Sequence, residues 1–141
     1  MLPLPLLALL LASCGLEPSP AIPEVTNANS SCPANAAQIE VSDGFLRSRC
    51  GCAEAITDPV PPPATLTCTV TKDSTVTFLY VGTETTHQIV STDTPAFASS
   101  PLSDPSDIST IRVHAINLSI VGTYKFTDSQ NSALSGSIVV R

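Results

Sequence analysis

The sequence predicts an all-β sandwich. Seven short strand-like segments fall within about a hundred residues, separated by turn formers, which is the pattern of a two-sheet domain. No stretch carries a 3.6-residue apolar stripe of helical length. Thirteen Pro and an abundance of Thr, Ser and Val suit short strands and turns better than helices.

The segments are Gln38–Val41, Thr65–Thr71, Thr75–Val81, Thr86–Ser91, Thr110–Asn117, Thr123–Thr127 and Ser135–Val140. Val76, Phe78 and Tyr80 alternate with Thr75, Thr77 and Leu79, the period of a half-buried strand. Ile111, Val113 and Ala115 alternate likewise with Arg112, His114 and Ile116. That phase puts His114 on the face opposite Ile111 and Val113, towards solvent. Thr94–Asp107 reads as a loop, because its Pro residues oppose a helix.

The chain divides into three parts. Residues 1–13 begin MLPLPLLALLLA, an apolar run too short to span a bilayer, for which roughly 20 residues are needed. The run matches the apolar region of a secretory signal, without the usual basic residues ahead of it. It ends Leu11-Ala12-Ser13-Cys14-Gly15, which resembles the lipobox of bacterial lipoproteins. The resemblance implies cleavage before Cys14 and acylation of that residue. It also implies a lipid anchor in a bacterial membrane, with Gly15 pointing to the outer one. Residues 14–36 are rich in Pro, Ser, Asn and Ala, the composition of an extended tether. Residues 37–141 form the sandwich.

With Cys14 assigned to lipid, Cys32, Cys50, Cys52 and Cys68 remain. An even count in an exported chain points to two disulfides. Direct bonding of Cys50 to Cys52 is strained, so each is expected to pair with Cys32 or Cys68, and the connectivity stays open. A thiolate metal site on Cys50-x-Cys52 lacks the second Cys or His pair that zinc requires.

From Gln38 the residues resemble the cupredoxin family. The resemblance rests on Gln38–Phe45, on Leu66–Phe78 followed by Thr86-His87-Gln88-Ile89-Val90, and on the ending Gly122-Thr-Tyr-Lys-Phe126 with Gly136-Ser-Ile-Val-Val140. It implies a Greek-key β-sandwich of about seven to eight strands, with His87 in the position of a copper-ligating imidazole. A blue-copper centre also needs a thiolate and a second imidazole, usually with an axial thioether. The family carries these in the loop between its last two strands. Here that loop, Thr127–Ser135, holds no Cys, His or Met, and Asp128 aligns best with the missing thiolate. The only Met is Met1. No bound cofactor is therefore expected. A hard N/O site for Cu(II) or Zn(II), built from His87 and Asp128 with Glu84, is the alternative.

Composition excludes other classes. Six Lys and Arg against twelve Asp and Glu give a net charge of −6, with no basic cluster to neutralise phosphates, so nucleic acid is not a partner. Four Phe, two Tyr and no Trp leave no stacking platform for bases. There is no Gly-x-Ser-x-Gly elbow, no phosphate loop and no evident acid partner for either His, so an enzyme is not expected. Asp104 and Asp107 read as solvated loop carboxylates.

The expected protein is thus a lipid-anchored envelope lipoprotein presenting a cupredoxin-like domain that has lost type 1 copper. It would act as a binding or structural module towards an envelope or extracellular partner, through Asp93–Asp107 and Asp128–Ser135. The alternative is a copper-binding or electron-transfer cupredoxin that uses His87 and non-standard ligands.

Overall fold

A computed structural model describes residues 32–54, 64–106 and 112–141. Cys14, the Pro-rich stretch at 59–63, Asp107 and the first two residues of the segment expected at Thr110–Asn117 lie outside the described residues.

Eight strands form two four-stranded mixed sheets. They are β1 (Ala36–Val41), β2 (Leu46–Cys50), β3 (Thr65–Val70), β4 (Ser74–Tyr80), β5 (Ile89–Ser91), β6 (Arg112–Leu118), β7 (Gly122–Asp128) and β8 (Ser135–Val140). The sheet orders are β2-β1-β4-β6 and β3-β8-β7-β5. Parallel pairings join β1 to β4 and β3 to β8, and all other neighbours are antiparallel. No helix occurs among the described residues.

The core lies between the sheets and follows the period of two. Val76, Phe78 and Tyr80 of β4 face Tyr124, Phe126 and Ile138 of the other sheet, with Ile39, Val41 and Leu118 alongside. Phe78 and Phe126 meet edge to face at 5.2 Å, the geometry that aromatic quadrupoles favour. Thr94 to Ser106 runs as irregular chain beside the sheets, and its Phe97 packs 6.0 Å from Phe78. Gly136 is needed where β8 passes the Phe126 ring. A Cβ there would lie 2.5 Å from the Leu66 carbonyl oxygen and 2.6 Å from the ring.

Three features differ from the sequence reading. β2 was not expected, because Leu46-Arg-Ser-Arg-Cys50 looks too polar. Its arginines turn to the outer face, where Arg47 Nη2 and Arg49 Nε reach the buried Glu40 carboxylate at 2.7 and 2.5 Å. The segment expected from Thr86 becomes strand only at Ile89, because the N–H groups of His87 and Gln88 bond side chains, Ser103 Oγ and Asp128 Oδ1. The phase of β6 is inverted. Its register places Ile116 opposite Val76 and His114 opposite Phe78, so Val113 is 60% exposed while His114 faces inward and bonds the Ala98 carbonyl at 2.9 Å. His114 is half-buried rather than solvent-facing.

All four described cysteines are paired, Cys32 with Cys50 and Cys52 with Cys68. The first bridge ties the chain ahead of β1 to the end of β2, and the second ties the segment after β2 to β3.

Candidate functional site

His87 is fully buried at one end of the sandwich, immediately before β5. Three elements converge on its ring. Asp128 is the last residue of β7 and pairs with Ile89 in the ladder, which aims its carboxylate at the His87 side chain. Its Oδ2 hydrogen-bonds His87 Nδ1 directly. Its Oδ1 accepts the N–H groups of Gln88 and Gln130 at 3.0 and 2.9 Å. On the other side of the ring, Asp43 Oδ1 lies 2.9 Å from Nε2, projecting from the turn between β1 and β2. Tyr80 stacks on the imidazole with ring centroids 6.4 Å apart.

Asp43 is the residue of this site that sequence reasoning does not single out. It lies 44 residues from His87 in an ordinary Ser-Asp-Gly turn, and only the pairing of β1 with β4 brings the two together. Partial burial opposes ionisation of the Asp43 carboxyl. The N–H groups of Glu84 and Thr85, His87 and the Thr85 hydroxyl outweigh it and hold the carboxyl well below the usual aspartate range. An ionised Asp43 accepts only, so Nε2 donates to it. The other nitrogen, Nδ1, is held by the Asp128 carboxyl. Both nitrogens are thereby engaged, and His87 has the acid partners that sequence spacing did not reveal.

This geometry has chemical consequences. Thr85 Oγ1 lies 3.2 Å from Nε2, so Asp128, His87 and Thr85 line up superficially like an acid–base–nucleophile relay. The Thr85 hydroxyl, however, donates to Asp43 at 2.7 Å, and an Nε2 that is itself donating cannot take its proton. The two carboxylates also address opposite nitrogens of one ring, so they do not converge on a common point. Glu84 contributes its backbone N–H to Asp43 Oδ2 rather than a carboxylate to the ring.

A type 1 copper centre requires thiolate sulfur. The polar side-chain groups bonded to the His87 ring are oxygens of Asp43, Thr85 and Asp128, and the described cysteines are in disulfides. The one convergent His, Cys, Asp and Glu trio among the described residues is Cys52, Glu54 and Cys68. Its two sulfurs are bonded to each other, which removes them as thiolate ligands.

Beside this end, Tyr80, Leu102, Arg112, Val113 and His114 line an open cavity of about 360 Å³. It lies between β6 and the chain at Pro101–Ser103, which is held to His87 by the Ser103 N–H on the His87 carbonyl. Leu102 and Val113 are 55% and 60% exposed at its rim.

No protein-family model and no curated protein matches the chain. Solved structures do. A purple cupredoxin from Nitrosopumilus maritimus aligns with a TM-score of 0.51 and 20% identity, over 74% of this chain and 99% of that one. Oxidized and reduced Cu(I) mutant forms of amicyanin align with a TM-score of 0.51 and 12% identity, over 78% of this chain and 86% of theirs. At such identities the likeness speaks for architecture alone, and the architecture is a cupredoxin-like β-sandwich.

Proposed function

We propose that this protein is an exported lipoprotein, anchored through Cys14, whose cupredoxin-like domain has lost type 1 copper and works as a binding or structural module. The observation that carries the reading is the direct Asp128–His87 hydrogen bond. The carboxylate aligned with the family's thiolate bonds the nitrogen of the imidazole aligned with its ligand. A type 1 copper ion would have to part the two groups and then find sulfur, which the residues bonded to the ring do not supply. In this reading the Asp43–His87–Asp128 chain is a brace that fixes three loops at one end of the sandwich. The Leu102–Val113 cavity beside it is then the contact surface for an envelope or extracellular partner. In this reading the domain is not an enzyme, and the brace engages both nitrogens of His87, the one buried histidine among the described residues.

A second reading draws on the amicyanin likeness, whose reduced form is described as Cu(I). Here His87, with carboxylates at both nitrogens, takes copper through oxygen and nitrogen ligands. The two readings separate on metal content. Anchoring is tested by radiolabelled palmitate fed to a bacterial host. Label should enter the wild-type chain and be lost in Cys14→Ser, and an unlabelled wild-type chain would overturn it.

A further inference from the structure

The end of the sandwich opposite His87 collects four features. The chain enters the fold at Pro33–Asn35, where the Ala36 N–H bonds the Pro33 carbonyl and the Thr75 N–H bonds that of Asn35. The Cys32–Cys50 bridge fixes this entry point to the end of β2. The β3–β4 turn lies at the same end, its Lys72 N–H on the Arg141 carbonyl and its Asp73 N–H on that of Leu118. Next to it is the β6–β7 turn, whose tip is Ile120-Val121.

Ile120 and Val121 are 62% and 61% exposed, two of the four large apolar residues so exposed among the described residues. They do not sit on a loose loop. The buried Tyr124 donates its hydroxyl to the Ile120 carbonyl at 2.9 Å, and Gly122 opens the β7 ladder against Val140. The turn is therefore a pinned apolar projection. Because β4 lies between β1 and β6, the entry point and this projection are about 10 Å apart across the sheet.

We infer that the β6–β7 turn seats Ile120 and Val121 in the interfacial layer of the bilayer that Cys14 enters, so that the domain stands with its His87 end outward. The inference rests on the anchoring reading above. Cys14 precedes Cys32 by eighteen residues, which reach at most about 60 Å whatever their conformation. Anchoring at Cys14 alone therefore keeps the domain near the membrane without setting its orientation. The tether enters at the apolar end, and it holds that end near the lipid at a high effective concentration. A wedge too small to bind from solution then suffices to orient the domain. At the same end Lys72 and Arg141 are balanced by Asp73 and Glu54, so it lacks the negative excess of a chain of net charge −6 that would oppose an anionic headgroup layer.

The chain has no Trp, which gives a clean test. The full mature lipoprotein is placed in phosphatidylcholine–phosphatidylglycerol vesicles as two variants, Ile120→Trp and Leu102→Trp. Both substitutions have the same intrinsic liking for an interface, so a difference between them reports orientation. Lipids brominated near the headgroup should quench emission of the Ile120→Trp protein by roughly half and leave the Leu102→Trp protein unquenched. Equal quenching, or quenching of the Leu102 variant alone, overturns the inference. A blue-shifted but unquenched Ile120 variant overturns it too, because the turn is then buried against protein. If the chain leaves the vesicles and Cys14→Ser behaves like wild type, the anchoring reading itself has failed and takes this one with it.

Discussion

Asp128 Oδ2 and His87 Nδ1 bond directly between the end of β7 and the start of β5, and neither side chain has any exposure. A buried pair of this kind is costly to break from one side, because the remaining group stays in a low dielectric without its partner. His87→Ala should therefore lower unfolding stability by about 3–5 kcal/mol, and Asp128→Asn should also destabilise, because its single oxygen cannot accept from the Gln88 and Gln130 N–H groups and still meet the ring. Urea denaturation checks this. A His87→Ala protein within half a kcal/mol of wild type would mean that the brace carries no stability.

The consequence reaches further than one residue. If His87 were an exposed remnant of ancestry, its removal would be harmless, and stability would separate the copper-free reading from the copper reading. With His87 in the core, both readings predict destabilisation, and only bound metal separates them.

The disulfides should matter on a similar scale. Both close loops of modest length, between residues 18 and 16 apart in sequence. Reduction is expected to cost the domain on the order of 2–5 kcal/mol. Melting with and without reductant, after peptide mapping of the Cys32–Cys50 and Cys52–Cys68 links, tests this. Unchanged melting, or a Cys50–Cys68 peptide, would contradict the structure.

Gly136→Ala should destabilise by about 1–3 kcal/mol, because its methyl meets the Leu66 carbonyl and the Phe126 ring at distances neither can yield. Gly44→Ala is the control, with nothing within 4 Å of the added carbon. Equal melting points for the two variants would refute the close approach of β8 to the core.

Acid should weaken the fold partly through Glu54. Partial burial opposes ionisation of this carboxyl, but the Thr69 hydroxyl and N–H, with Arg141 nearby, hold it below the usual glutamate range. A lowered folded-state value means that the contribution is present above the ordinary value near 4.5 and is lost as pH falls below it. Glu54→Gln should be less stable than wild type at neutral pH and should lose less on acidification. Parallel stability curves for the two proteins would exclude the effect.

The fold was legible where one face of a strand is apolar and the other is not. The segments expected at Thr75–Val81 and Ser135–Val140 show that contrast, and the strands run Ser74–Tyr80 and Ser135–Val140. β2 was hidden because its arginines serve a buried glutamate on the neighbouring strand, a pairing that no local pattern reveals. The phase of β6 was misjudged because Val113 and Ile116 are both apolar and three residues apart, hence on opposite faces, so only the register against β4 decides which is buried. At the site, His87 and Asp128 were legible through the family likeness, and the structure brings them together. Asp43 was not, since a turn aspartate has no signature until the chain folds back on itself.

The proposed function requires that the end of this domain, closed on itself by carboxylate–imidazole bonds, take up no type 1 copper. The most direct test is metal content by mass spectrometry with a visible spectrum, on protein exported to the periplasm, incubated with Cu(II) and dialysed. No retained copper and no colour are expected. Near-stoichiometric copper that is retained by wild type and lost in His87→Ala would contradict the proposed function.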